Sequence, residues 1–248
     1  MKQSGNTILV TGGGSGIGRA LAQRWHDAGN HVIVTGRRAA PLQETIAGRA
    51  RMAAYVLDVT DQTAVDAFVA TLLAGHPGLN VLVNNAGIYH TEKIDARRDL
   101  TGAEDMVATN LLGPIRVTNA LIAHLGAQPD AALINVSSGL AFVPYPAAPT
   151  YSATKAALHA YTAALRPLLA GRVEVIEIVP PQVQTELSPG QSNDPHSMPL
   201  DAFADEVMAL LHAAQTPPEV CVEGVRYFRE AEAKGQFDAA LQMLAQYS

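Results

Sequence analysis

The strongest constraint on the fold is an alternation. Short runs rich in Val, Ile and Leu recur at 7–11 (TILVT), 31–35 (HVIVT), 52–57 (MAAYVL), 79–84 (LNVLVN), 131–137 (AALINVS), 173–179 (VEVIEIV) and 219–223 (EVCVE). Ala- and Leu-rich segments of helical period separate them, near 16–29, 39–49, 61–75, 102–126, 151–170 and 201–214. Continuously apolar strands need cover on both faces, and strands separated by helices pair in parallel. The pattern predicts an α/β fold, a doubly wound parallel sheet of seven strands flanked by helices on both faces. At 248 residues with 48% apolar content, one domain over 1–248 has material for a single core.

The remaining segments carry fewer constraints. Residues 186–199 (ELSPGQSNDPHSMP) form the one long loop, dense in Pro, Ser, Gly and Asn. Such a loop in a compact domain suits a lid, so 186–214 is expected to be a substrate lid region. After the seventh strand, 225–248 reads as a helical extension of two short helices broken at Gly235, with Phe237, Leu241 and Leu244 on one face. The net charge of −6 and the lack of basic runs argue against nucleic-acid binding. No apolar stretch approaches the roughly 18 residues of a membrane span, and the apolar run before the first glycines is too short for a secretion signal. A cytoplasmic protein is expected. The single cysteine, Cys221, reads as a small buried strand residue, and the eight histidines show no metal-ligand spacing.

TGGGSGIG, Thr11 to Gly18, follows the first strand and opens a helix. Glycines at Gly12, Gly14, Gly16 and Gly18, with Ser15 and Ile17 between them, let the backbone approach a pyrophosphate at a helix N-terminus. Dinucleotide folds usually place a carboxylate on the adenosine ribose about 20 residues on. Here the second strand ends Thr35-Gly36-Arg37-Arg38, with no acidic residue between Asp27 and Glu44. Two guanidinium forks suit a 2′-phosphate and so NADP, with NAD possible; the alternative is a pair of solvated turn arginines. Asp58, beside Val59 after the third strand, is placed to accept a bond from the adenine amine, to cap the next helix, or to do both. NNAG, Asn84 to Gly87, ends the fourth strand, and Asn85, Ala86 and Gly87 allow close approach to the adenosine ribose. Asn110 interrupts the helix that follows, and Ser138 ends the fifth strand thirteen residues before Tyr151. Tyr151 and Lys155 lie one helical turn apart, on one face. Gly12, Gly36, Asp58, Asn85, Ser138 and Pro180 all follow strands, which gathers them at the carboxyl edge, where open α/β sheets bind ligands.

Together these motifs resemble the short-chain dehydrogenase/reductase superfamily, in order over residues 7–185. The resemblance implies a Rossmann-type domain and an NAD(P)-dependent oxidoreductase. It implies Tyr151 as general acid or base, with Lys155 lowering its pKa and bonding the nicotinamide ribose. It further implies Ser138 on the substrate oxygen, Asn110 positioning a water that feeds a proton relay, and Pro180, Val183 and Thr185 around the nicotinamide carboxamide. Members commonly pair through the helices at 102–126 and 151–170, so a homodimer or homotetramer is expected. One departure is Pro181, where the family usually has glycine; proline fixes φ and removes an N–H, so the turn there must differ. The Pro-Pro variant more loosely resembles the subgroup of the oxidoreductase linked to D-alanine esterification of teichoic acids.

The expected activity is hydride transfer between NADP(H) and a small carbonyl or alcohol substrate. The alternative is a non-catalytic NADP(H)-sensing protein on the same fold. Leu140, Phe142, Val143 and Tyr145 in GLAFVPYPAAP are expected to wall the substrate space, which suits an apolar carbonyl compound.

Overall fold

The computed structural model describes residues 1–246; Tyr247 and Ser248, the end of the expected C-terminal extension, lie outside the described residues. The strands are β1 (Thr7–Thr11), β2 (His31–Gly36), β3 (Met52–Val56), β4 (Leu79–Asn84), β5 (Ala132–Val136), β6 (Glu174–Val179) and β7 (Glu219–Cys221). They form one sheet in the order β3-β2-β1-β4-β5-β6-β7, and every neighbouring pair is parallel. The helices are α1 (Gly16–Asp27), α2 (Ala39–Ile46), α3 (Gln62–Gly75), α4 (Thr101–Val107), α5 (Gly113–Leu125), α6 (Pro149–Leu169), α7 (Leu200–Leu211), α8 (Arg226–Glu230) and α9 (Phe237–Ala245). The strand order reverses between β1 and β4, so the loops leaving those strands diverge and open a crevice at their carboxyl ends.

Strand side chains alternate between two buried layers. Ile8 and Val10 join Leu21, Trp25, Phe203 and Val207 on the α1 and α7 face. Leu9 points the other way, toward Phe68, Leu72, Leu121 and Leu169 of α3, α5 and α6. Thus α7, the second half of the expected lid region, is seated in the core, where Phe203, Ala204, Val207 and Leu211 are fully buried. A third apolar cluster gathers Val143, Ala231 and Ala240 with Phe237, Leu241 and Leu244, so α9 packs its apolar face inward. Gly235, at φ 65°, makes the break between α8 and α9.

Two readings of the sequence need correction. The expected continuous helix at 102–126 is α4 and α5 joined by a π-helical turn, Ala108–Leu112. Pro114 explains the widening, because it has no N–H to give the carbonyl four residues earlier, at Asn110. Gly113 also sits too close to Val59 for any side chain: a Cβ there would lie 2.8 Å from Val59 Cγ2. Asp58 does not cap α3; Asp61 does, accepting the Ala64 N–H at 3.0 Å.

A buried polar chain ties the two middle strands to their helices. Asn84 Nδ2 donates to Asn135 Oδ1 at 2.9 Å and to Thr118 Oγ1 of α5 at 3.0 Å, and Asn135 Nδ2 donates to Thr162 Oγ1 of α6 at 2.8 Å. Each link is worth far more broken than made, since a buried N–H left unpaired carries its whole desolvation cost. Asn135→Ala should therefore lower the unfolding free energy by about 2 kcal/mol. Urea unfolding of both proteins measures it, and an unchanged midpoint would remove the chain from the list of fold determinants.

Candidate active site

The crevice is a cleft of about 440 Å³. Its floor is the glycine turn: Gly12, Gly14, Ser15, Gly16, Ile17 and Gly18 all line it. Gly12 has φ 67°, and a Cβ there would lie 2.7 Å from Ala86 Cα, so only glycine lets the two loops meet. Thr11 stands behind the cleft rather than in it. Its Oγ1 accepts the Asn85 and Ala86 N–H groups at 3.1 Å each, while Asn85 Nδ2 donates back to the Thr11 and Gly12 carbonyls at 3.0 and 3.1 Å. Ser15, the N-cap of α1, makes no side-chain cap. The helix therefore presents free N–H groups and its positive dipole end to the cleft, which fits a pyrophosphate.

At the far end of the floor lie Gly36, Arg37, Arg38, Asp58 and Val59. Both arginines are exposed, and among the described residues neither guanidinium holds a hydrogen bond. Burial works against ionisation of the Asp58 carboxyl, but the Thr60 N–H (2.9 Å), the Thr60 hydroxyl (2.7 Å) and the Arg37 charge outweigh it and hold its pKa below the ordinary value. Asp58 thus stays anionic beside Arg37.

The other end gathers the reactive groups. α6 carries Tyr151 and Lys155, which are 7% and 5% exposed. Lys155 Nζ donates to the Val136 carbonyl at 2.9 Å and sits 5.7 Å from the centre of the Tyr151 ring. Burial pushes the ammonium down to about 8, against the pull of Glu177. Burial pushes the Tyr151 phenol up, and its hydrogen bond with Ser138 only partly offsets this. The expected lowering of the phenol by Lys155 is thus absent in the protein alone: desolvation is the larger effect, and the ammonium faces a carbonyl instead of the phenol oxygen. Ser138 is extended at the start of the 3-10 turn Gly139–Ala141, where its Oγ accepts the Leu140 N–H at 3.1 Å and meets Tyr151.

Asn110 lies in the π-helical turn, fully buried. Its amide clasps Ile88, accepting the Ile88 N–H and donating to the Ile88 carbonyl, both at 2.9 Å, with a further bond to Thr154 Oγ1 at 3.3 Å. Asn110 and Ser138 therefore stand just behind the lining, while Asn85, Ala86, Gly87, Tyr151, Lys155, Pro180, Val183 and Thr185 form it. Beyond Pro181, Val183 bridges to Met198, and the loop from 186 borders the cleft through Glu186, Leu187 and Gln191.

The substrate wall differs from the sequence expectation. Leu140 and Tyr145 do cluster with Tyr151. Phe142 and Val143 turn away: Val143 packs under α9, and Phe142 lies between the His159 ring and the Arg229 guanidinium, each 4.7 Å off. The 3-10 turn rotates them off the cleft. Tyr89 and His90, not anticipated, line it instead. Tyr89 meets Tyr151 edge to face at 5.0 Å, and burial raises its phenol to about 12. Their position directly after NNAG, on the same sheet edge, was the usable sign. His159, Glu177 and Glu219 bring ligand atoms within 4.8 Å of one another. Arg166 reaches both carboxylates, at 3.5 and 3.8 Å, and Arg229 pairs with Glu219, so guanidinium charge already balances them.

The low Lys155 value has a consequence for stability. The unfolded lysine keeps its proton to 10.5 and the folded one only to about 8, so between them the unfolded chain binds more protons. That contribution rises with pH across this window. Relative to Lys155→Met, the coenzyme-free wild type should gain stability from pH 8 to pH 10.5. Denaturant midpoints of the two proteins across the window test this, and a constant difference would contradict it.

Known proteins fit this geometry. The family model for short chain dehydrogenase matches residues 6–196. An uncharacterized oxidoreductase of Bacillus subtilis, DltE, is 42% identical over 192 residues, 76% of this chain and 75% of the relative. Sulfoacetaldehyde reductase 2 of Chromohalobacter salexigens is 36% identical over 73% of this chain and 74% of its own. A short chain dehydrogenase from Burkholderia cenocepacia, solved in complex with NADP, superposes with a TM-score of 0.82 at 25% identity, over 97% of this chain and 99% of that one. Among the described residues no helix is long and apolar enough to cross a membrane. The chain belongs to the short-chain dehydrogenase/reductase family and is an NAD(P)-dependent oxidoreductase with a seven-stranded Rossmann-type sheet.

Proposed function

We propose that the protein transfers hydride between NADP(H) and a small carbonyl or alcohol compound, with Ser138, Tyr151, Lys155 and Asn110 as the catalytic set. One observation carries this reading: a phenol and an ammonium line one end of a cleft, with a hydroxyl just behind them, and two exposed arginines stand at its other end. The uncapped start of α1 would hold the pyrophosphate, Asp58 and Val59 the adenine, and Asn85 to Gly87 the ribose. Pro180, Val183 and Thr185 would hold the carboxamide. When bound, the coenzyme supplies or accepts the hydride. Ser138 would donate to the carbonyl oxygen as charge grows there, and Tyr151 would pass its proton to that oxygen. A neutral phenol is the form a general acid needs, and burial favours it. Lys155 would bond the nicotinamide ribose from its place beneath Gly87, and Asn110 would position the relay water.

Tyr89, Leu140 and Tyr145 around Tyr151 suit a substrate with an apolar body. In this reading residues 1–248 form one coenzyme-binding unit with a C-terminal helical extension from 225. Residues 186–199 close over the substrate, anchored by α7. The working setting is cytoplasmic, and the chain pairs through α4, α5 and α6 as a homodimer or homotetramer. Exposed Val107 on α4, Leu112 in the π-helical turn between α4 and α5, and Leu168 on α6 favour pairing, and light scattering at micromolar concentration should show no stable monomer.

Tyr151→Phe should reduce kcat at least about a hundredfold, leaving NADPH affinity within about threefold. NADPH oxidation across a carbonyl panel reads the first, and fluorescence titration the second. Tight NADPH binding with no turnover on any carbonyl would instead identify a sensor. Arg37→Ala should cost NADPH about ten- to a hundredfold in kcat/KM and spare NADH. Gly36→Asp should reverse the preference, since a Cβ there makes only ordinary contacts with Leu42 Cδ2 and Cγ, at 3.6 and 4.0 Å. A wild type that already favours NADH would make the arginines plain surface charge.

A further inference from the structure

α6 begins without a cap of its own. Its N-cap is Ala148, Pro149 follows, and no side chain of the local sequence bonds the first turn's N–H groups. Glu92, 58 residues away in the loop after β4, takes that place. Its Oε2 accepts the Thr150 N–H at 2.7 Å, and its Oε1 accepts the Thr150 hydroxyl at 2.8 Å and Arg98 Nη2 at 2.6 Å. The Glu92 N–H donates to the Ala147 carbonyl at 2.8 Å, so the two loops are joined through backbone as well. The Glu92 side chain is only 2% exposed. Such a carboxylate costs several kcal/mol to bury unless it is fully bonded, and here it is bonded by two uncharged donors and one guanidinium.

We propose that Glu92 is a positioning residue: its carboxylate fixes the first turn of α6 and so holds Tyr151, the very next residue after Thr150, against Ser138. The argument is one of leverage. Tyr151 lies in the first turn, where helices fray, and its phenol must meet a hydroxyl that belongs to a different loop. An anion at the helix N-terminus suppresses fraying both by hydrogen bonding and through the helix dipole. The clasp also ties the turn to the loop that carries Tyr89 and His90, so the wall of the substrate space and the phenol are held by one group. Ser152 braces the same turn from inside, its Oγ bonding the Tyr145 N–H at 3.0 Å and the Ala148 carbonyl at 3.1 Å. That brace stays local to 145–152, whereas Glu92 bonds the first turn of α6 to the β4 loop.

This inference rests on the oxidoreductase reading for its kinetic arm, and a second arm is independent of turnover. Hydrogen exchange followed by mass spectrometry should show the 150–152 amides of Glu92→Ala exchanging at least tenfold faster than in wild type, with β4 and β5 peptides unchanged. In the carbonyl assay the same variant should lose at least tenfold in kcat while the NADPH dissociation constant stays within about threefold. Glu92→Gln should recover part of both, because an amide oxygen still accepts the Thr150 N–H. If Glu92→Ala does not fold, Glu92→Gln and Thr150→Val carry the comparison, each expected to cost a few-fold in kcat. Unchanged exchange at 150–152 in Glu92→Ala, or in both milder variants, would overturn the clasp. So would a loss confined to KM. A wild type without turnover would sink the oxidoreductase reading while leaving the exchange arm to judge Glu92.

Discussion

Everything at this site depends on how closely two loops approach at the centre of the sheet. The chain leaves β1 and β4 in opposite directions, and a ligand can lie between the departing loops only if no side chain fills the gap. Gly12 meets Ala86 at a distance no Cβ would survive, and Gly18 is tighter still, with a Cβ position 2.4 Å from Asn85 Nδ2. The same contact is then bonded shut. The Thr11 and Asn85 side chains make four hydrogen bonds across it, two between these residues and one each to Ala86 and Gly12. The result is a rigid floor whose exposed donors are backbone N–H groups, held in place before any ligand arrives.

The reactive end follows a different logic, in which charge is managed by burial. Tyr151 and Lys155 share a rigid helix, yet the protein alone gives them opposite perturbations: the phenol is held neutral and the ammonium is loosened toward neutrality. Both shifts come from desolvation, and neither group corrects the other because Lys155 Nζ is spent on the Val136 carbonyl. The buried asparagines support this arrangement from below. Asn84 and Asn135 link α5 and α6 through the sheet, and Asn110 fixes Ile88, so the elements that carry the reactive groups cannot slide independently.

Much of this was legible because function and topology share a spacing. Gly12, Gly36, Asp58, Asn85, Ser138 and Pro180 each fell just after an apolar run, and parallel pairing then brings them to one edge, where the helices carrying Asn110, Tyr151 and Lys155 meet them. Legibility failed where direction depends on a single turn. The Gly113-Pro114 pair was visible, but helical periodicity runs smoothly across it and gave no hint of the π-helical turn. Phe142 and Val143 have the composition of a substrate wall, and a three-residue turn at 139–141 points them elsewhere. Asp58 and Asp61 are interchangeable as caps by residue type, and only the path of the backbone selects Asp61. Glu92 was out of reach altogether: its partner is 58 residues away, and no local pattern marks a carboxylate destined for another helix.

The arginines at the end of the cleft away from Tyr151 differ from the rest of it in one respect. The floor and the reactive end are desolvated or built from backbone, and dissolved ions scarcely touch them. Arg37 and Arg38 stand in water. Attraction between exposed charges is screened over about 8 Å at physiological ionic strength and over shorter distances as salt rises. In the proposed reading, coenzyme choice would be the one property of this site delegated to the medium: the chemistry would be indifferent to a salty solution, while discrimination between the two nicotinamide dinucleotides would fade in it.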